Sequence, residues 1–247
     1  KAYDERGISK NRPSDNLGAI EDYSKAIKIN PLDDSAYYNR GYSKGVLGKY
    51  RRAINDFTTV VEIHPTRDDA YHSRGYFKNR LGQYKESIND YDISIEINRD
   101  NPDVFYNRAF AKQQIKDDVG AIEDYTIAIR LNPKDANAYN NRGNSKINLK
   151  DYKGAVKDYN RTIAFNPKDI SAYNNRGIAK LNLQDYEGAI EDYDKVIQYK
   201  PTFAKAYNNR GIALFYLGKR KEAYQDWKIA RDLGLDAADE LLKKYYY

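Results

Sequence analysis

Residues Ala136–Asp169 read ANAYNNRGNSKINLKDYKGAVKDYNRTIAFNPKD, and Ile170–Phe203 read ISAYNNRGIAKLNLQDYEGAIEDYDKVIQYKPTF. The two stretches align over 34 residues without a gap. The same register continues in both directions and divides the chain into blocks 1–33 (lacking its first position), 34–67, 68–101, 102–135, 136–169, 170–203 and 204–237. A fixed period of this length marks a stacked array, in which each unit buries its apolar face on its neighbours and no single central core forms. A letter shared by every block therefore belongs to the scaffold, and a letter that varies is free to serve function.

Each block holds two apolar patterns of helical period, over block positions 1–14 and 16–30. A short turn such as Leu149-Lys150-Asp151 or Leu183-Gln184-Asp185 separates them. Pro31, Pro65, Pro133, Pro167 and Pro201 then close the second helix, because proline has no amide proton to continue it. Each block is thus expected to be a helical hairpin. Block three is the least regular, with Ser87 and Ser94 at small-residue positions and Arg99 where proline is due. A softer junction between blocks three and four is the corresponding expectation.

The column of letters resembles the tetratricopeptide repeat. Block five supplies Tyr139, Gly143, Tyr152, Ala155, Tyr159, Thr162 and Pro167 at the family's marked positions, and block six supplies Tyr173, Gly177, Tyr186, Ala189, Tyr193, Val196 and Pro201. The resemblance covers essentially the whole chain. It implies an all-α, right-handed superhelical solenoid of seven hairpins, with partners bound in the concave groove lined by the first helices. The small residues at block positions 8 and 20 let the paired helices approach, and aromatics at 4 and 24 fill the space beside them. Of the 25 tyrosines, 15 fall at block positions 4, 17 and 24, which reads as core and not as a stacking platform for bases. Beyond the last block, Asp236 is the expected N-cap of a further helix, with residues 238–247 as a C-terminal capping helix in which Leu241 and Leu242 cover the end of the stack.

Composition narrows the function classes. The net charge is +6, from 42 basic and 36 acidic residues, a mild excess on a strongly charged surface. There is no cysteine, so neither disulfides nor thiolate chemistry is available. No apolar run reaches the length of a membrane-spanning helix, and membrane insertion is not expected. The expectation is a soluble protein, a cytoplasmic setting being slightly favoured. Lys1 already lies inside the first block and the chain has no methionine, which reads as a piece of something longer.

Two charged columns run through every block. Position 7 is Arg6, Arg40, Arg74, Arg108, Arg142, Arg176 and Arg210, and position 23 is Asp22, Asp56, Asp90, Asp124, Asp158, Asp192 and Asp226. With the turn near position 15, the two lie at one level of an antiparallel hairpin, where a planar guanidinium can meet a carboxylate through two bonds. Arg142–Asp158 and Arg176–Asp192 are read as structural ion pairs of this kind. Lysine at position 11, as in Lys146 and Lys180, lies one turn further along.

Nothing in the sequence forms a catalytic constellation, and the expectation is a noncatalytic protein. The Glu-Asp pairs recur at positions 22–23 along the array, whereas a catalytic pair is expected once, in a cleft. His64 and His72 lack a metal-ligand pattern, and Gly154 and Gly188 lack the Lys-Ser/Thr of a phosphate loop. No cofactor and no metal are expected.

The groove-facing positions carry the functional reading. Position 6 is asparagine in Asn39, Asn107, Asn141, Asn175 and Asn209, and position 5 is asparagine in Asn140, Asn174 and Asn208. Asn144 adds to the same surface. A side-chain amide both donates and accepts, so it can pair with the N–H and C=O of an extended peptide. Repeated asparagine at position 6 resembles the asparagine ladder of the tetratricopeptide domain of O-linked N-acetylglucosamine transferase, with breaks expected at Glu5 and Ser73. Tyr106, Phe110, Ile178 and Ile212 interleave apolar surface with these amides, and from block four onward the groove positions hold only Asp103 and Lys205 as charges. Chaperone-binding relatives hold a C-terminal carboxylate through five such positions; Asn144, Asn175 and Lys205 match three of them, but most of the required positive charge is missing, and that activity is not expected. The leading expectation is a scaffold that binds an extended peptide or protein segment in the groove of blocks four to seven. The alternatives are nucleic-acid binding through a basic surface and self-assembly through the N-terminal end.

Overall fold

The computed structural model of the chain describes residues 15–246. Arg6, Lys10 and the first helix expected of block one lie outside the described residues. Within them the chain forms fourteen α-helices and no strand. They are α1 (Asn16–Ile29), α2 (Asp34–Val46), α3 (Tyr50–Ile63), α4 (Asp68–Arg80), α5 (Tyr84–Ile97), α6 (Pro102–Gln114), α7 (Asp118–Leu131), α8 (Ala136–Asn148), α9 (Tyr152–Phe165), α10 (Ile170–Asn182), α11 (Tyr186–Tyr199), α12 (Ala204–Tyr216), α13 (Arg220–Asp232) and α14 (Asp236–Tyr246). The chain divides into two compact units, residues 1–131 and 132–247. Within each unit, consecutive helices pack as hairpins and each hairpin packs on the next.

Local chemistry sets the helix boundaries. The Asp169 carboxylate accepts from the Ala172 amide at 3.0 Å and starts α10, and Asp185 caps α11 through the Gly188 amide at 3.1 Å. The glycine is matched to that cap, since a Cβ at Gly188 would sit 2.4 Å from the Asp185 carboxylate. This explains the glycines near the starts of second helices without any phosphate chemistry. The turns inside the hairpins place position 15 in the left-handed region. Gly48, Gly82 and Gly218 occupy it freely, while Lys116, Lys150 and Gln184 adopt φ of 68°, 62° and 62°.

Close helix approach depends on position 8. A Cβ on Gly177 would lie 2.8 Å from Cε1 of Tyr193, a fully buried ring. Tyr193, Ala189, Val196, Ala206 and Ala213 form one core cluster of the second unit; Ala155, Tyr159, Ala172 and Ala179 form another. At the C-terminal end Trp227, Ala230, Ala238 and Leu242 are buried together. Leu242 is fully covered and Leu241 partly, and the rings of Tyr245 and Phe215 meet at 4.5 Å. Asp236 is the first residue of α14 and not a residue before it, so with Asp239 it acts on the helix dipole in the first turn.

The junction between blocks three and four, expected to be softer, is closed by side-chain and backbone hydrogen bonds. Proline is absent from the loop after α5, but the Asn98 side chain accepts from the Asp100 amide at 3.1 Å and donates to Asp68 at 2.8 Å. Asn101 caps α6 through the Asp103 amide, and Pro102 takes the first helical position, where its missing N–H costs nothing. Ser87 and Ser94 are fully buried and hydrogen-bonded to backbone carbonyls of Tyr84 and Asp68. The division into units falls one block later, after Leu131.

Candidate functional site

The charged columns are built first, because they fix the first helices that carry the groove positions. In the second unit, Arg142 donates from Nε and Nη2 to the two Asp158 oxygens at 2.9 and 2.6 Å, and Lys146 reaches the same carboxylate at 2.7 Å. Arg176 makes the same two-bonded contact with Asp192, joined by Lys180 at 3.0 Å. Arg210 pairs with Asp226 at 2.8 and 2.7 Å. The first unit repeats the arrangement at Arg40–Asp56, Arg74–Asp90 and Arg108–Asp124. Each carboxylate is almost fully buried, so the surrounding guanidinium and ammonium groups are what keep its charge in place. Each arginine also lies over the ring three residues before it, as Arg176 does over Tyr173 at 5.4 Å. The Arg210 charge is reinforced by its hydrogen bond to Asp226, which outweighs burial and raises its pKa.

A third contact was not visible in the sequence. The remaining guanidinium nitrogen, Nη1, reaches back to position 25 of the preceding block. Arg40 meets Ser24 at 3.2 Å, Arg74 meets Thr58 at 3.3 Å, Arg108 meets Asp92 at 2.6 Å, and Arg176 meets Asn160 at 2.6 Å, with Arg210 on Asp194 as the fifth. The signal was present as a column of residues that carry a side-chain oxygen in blocks one to six and give way to Lys228 in the last. It was hidden because their chemistry differs and the partner sits one block away.

The asparagines divide into two sets. In the second unit, Asn140, Asn174 and Asn208 donate their amides to the next residue, reaching Asn141, Asn175 and Asn209 at 3.4, 3.0 and 3.2 Å. Their own Oδ1 atoms are buried without a hydrogen-bond partner, and Asn208 as a whole is buried. Position 5 thus turns inward and orients position 6. Asn175 in turn donates to Asn144 Oδ1 at 3.0 Å, and the Tyr159 hydroxyl donates to the same oxygen at 2.8 Å. The Asn209 amide lies beside the Tyr193 hydroxyl. Burial, together with the neighbouring Asp158 and Asp192, holds both phenols far above the ordinary tyrosine value, so both stay protonated.

The apolar candidates are placed unequally. Ile178 lines an open cavity of about 250 Å³ with Ile147, Asn144, Asn148, Tyr159 and Asn175. Ile212 is instead packed against the C-terminal cluster around Trp227. Tyr106, Asn107 and Phe110 belong to the first unit. There Asn107 Nδ2 lies 2.9 Å from His72 Nε2, Tyr106 packs edge-on to Tyr125, and Phe110 packs edge-on to Tyr84. Among the described residues no cluster of histidine, aspartate and glutamate has the form of a metal site, and no helix is long and apolar enough to cross a membrane.

Paired helices in tandem, joined by a repeated ion-pair lattice and presenting amides and apolar groups along one face of the first helices, define a repeat scaffold. Models of the tetratricopeptide repeat match residues 136–169 and 34–67, and a further model described as TPR repeat matches 15–45, 79–116 and 181–218. The chain belongs to the tetratricopeptide-repeat family, whose arrays are scaffolds for protein–protein interaction and generally noncatalytic. No curated protein matches the sequence. Among solved structures, YrrB, "a TPR protein with an unusual peptide-binding site", is 22% identical with a TM-score of 0.68, over 74% of this chain and 95% of its own. MamA is 26% identical with a TM-score of 0.65, over 73% of this chain and 96% of its own. A tetratricopeptide repeat protein from Parabacteroides merdae is 22% identical with a TM-score of 0.68, over 98% of this chain and 96% of its own.

Proposed function

We propose that the chain is a noncatalytic scaffold that binds an extended peptide or protein segment along the first-helix faces of α8, α10 and α12, with Tyr106, Asn107 and Phe110 of α6 as candidate contacts on the first unit. The observation that supports this reading most is the amide chain Asn174–Asn175–Asn144, capped by the Tyr159 hydroxyl and opening on the cavity beside Ile178. Amides held in fixed orientation at the repeat spacing suit main-chain N–H and C=O groups, and the apolar space beside them suits a side chain. That YrrB is described with a peptide-binding site accords with the class of ligand.

The test starts from peptides selected for binding to the whole chain from a random library. Asn141, Asn175 and Asn209 are then replaced together by alanine. Affinity for the selected peptides is expected to fall about tenfold or more, since each lost amide contact is worth about 1 kcal/mol, while the helical circular-dichroism signal is retained. Unchanged affinity in the folded triple variant overturns the reading.

A further inference from the structure

The first unit carries a different kind of cavity. It encloses about 430 Å³ on the exposed faces of α2, α4 and α6, and its walls include Tyr42, Tyr76, Phe77 and Tyr106. Tyr42 and Tyr76 are 47% and 40% exposed, so both rings are open to a ligand. Polar groups of His72, Ser73 and Asn107 lie among them, and Asp103 stands at the start of α6.

The charges decide what such a cavity suits. Asp103 is exposed and makes no salt bridge among the described residues. The nearby Asp34 and Asp69 are already neutralised by Arg67, at 2.6 and 2.9 Å. His72 adds no positive charge near neutral pH, because burial lowers its pKa against the pull of Asp103, Asp68 and Asp69. Arg80 lines the adjoining cleft, which shares Tyr42, Tyr76 and Phe77 with this cavity. Its guanidinium is turned to the hydroxyl ends of the rings, donating to Tyr50 at 2.9 Å and hydrogen-bonding Tyr76. The cavity's own lining holds Asp103 and no lysine or arginine. The cavity therefore combines aromatic walls with one uncompensated carboxylate. The same unit already seats cations on tyrosine rings, with Arg67 4.4 Å from the centre of Tyr38 and Arg80 5.3 Å from that of Tyr50.

We propose that this cavity receives a basic side chain, lysine or arginine, from a partner polypeptide, with the rings of Tyr42 and Tyr76 against its cationic head and the Asp103 carboxylate as its counter-ion. An acidic side chain meets only Asp103 and is repelled. An apolar one gains the rings but leaves the carboxylate without a partner. The cavity shares Tyr106 and Asn107 with the candidate contacts proposed above on the first unit, while its recognition of a basic side chain does not depend on the asparagines of the second unit.

The test titrates the whole chain with the capped tripeptides Ac-Ala-Arg-Ala-NH2, Ac-Ala-Lys-Ala-NH2, Ac-Ala-Phe-Ala-NH2 and Ac-Ala-Glu-Ala-NH2, read by heteronuclear NMR. The two basic peptides are expected to give saturable shifts at Tyr42, Tyr76 and Asp103 that weaken with salt, and the other two are not. Asp103→Asn, at an exposed site, is expected to weaken basic-peptide binding about threefold to fivefold, as one exposed charge pair allows, and Tyr76→Leu to weaken it similarly. Equal binding of the phenylalanine peptide, indifference to Asp103→Asn in a variant of unchanged melting temperature, or no saturable shift with either basic peptide overturns the proposal. The Asn141, Asn175 and Asn209 alanine variant is expected to leave these shifts unchanged, so failure of one site does not stand for failure of the other.

Discussion

Asn175 donates to Asn144 across 3.0 Å and so joins the first helix of one repeat to the first helix of the repeat before it, at the same oxygen that takes the Tyr159 hydroxyl. The acceptor is the critical member of this trio. Asn144→Leu preserves shape but leaves the buried Tyr159 hydroxyl unpaired, at an expected cost of about 1–3 kcal/mol. Urea denaturation measures it. Combining Asn144→Leu with Tyr159→Phe is expected to recover the part of the loss that the stranded hydroxyl causes, while the half-buried Asn175 amide still lacks this acceptor; a double variant as unstable as the sum of the singles contradicts the assignment.

Asp192 is 1% exposed and is shared by Arg176 and Lys180. Asp192→Ala is expected to cost on the order of 3–5 kcal/mol, since it leaves two cations without their partner in a partly buried site. Replacing all three together by Leu, Met and Met is expected to cost much less. Equilibrium denaturation of the two variants separates a penalty for stranded charge from a contribution of the ion pair itself.

His72 gives the chain a pH dependence of definite sign. Burial lowers its pKa below the ordinary 6.5, with Asp103, Asp68 and Asp69 opposing. The folded state then binds fewer protons than the unfolded chain between the lowered value and 6.5, so this contribution to stability is complete above 6.5 and is lost as pH falls through that window. Protonation also sets a ring donor against the Asn107 amide, which lies 2.9 Å from Nε2. The difference in melting temperature between the parent chain and His72→Gln is expected to shift against the parent on going from pH 7 to pH 5. A histidine NMR titration at or above 6.5 contradicts the prediction.

Gln184 sits at φ 62° in a turn where Gly48, Gly82 and Gly218 serve the equivalent positions. The left-handed conformation costs a side-chain-bearing residue about 1–2 kcal/mol, and glycine returns part of that gain through the entropy of its unfolded state. Gln184→Gly is therefore expected to stabilise the second unit by about 0.5–1 kcal/mol. A lower denaturation midpoint refutes it.

The helical hairpins were legible because period, proline and turn letters recur in register, and each recurrence removes an alternative reading. The irregular third block shows where letters mislead. Arg99 replaces proline, yet Asn98 closes the same turn through its side chain. The interaction face was only partly legible. Positions 5 and 6 are one residue and about 100° apart on a helix, so Asn174 and Asn175 look equivalent in sequence while one turns its carbonyl inward and the other reaches Asn144. Ile212 reads as a groove residue, and only the fold shows that it also packs, half-buried, against the cluster of Trp227, Ala230, Ala238 and Leu242. Contacts such as Arg176 with Asn160 depend on how one repeat meets the previous one, which no single repeat encodes.

That backward contact carries a consequence for how such a chain grows. In five of the repeats the arginine turns one nitrogen to an oxygen on the repeat before it, and serine, threonine, asparagine and aspartate all answer, at Ser24, Thr58, Asn160, Asp92 and Asp194. The joint between repeats is therefore tolerant of which repeat stands on either side. Repeats that carry an oxygen at this position can be duplicated, lost or exchanged within a unit while the guanidinium that follows still finds an acceptor, whereas the last repeat, with Lys228 there, is suited only to the end.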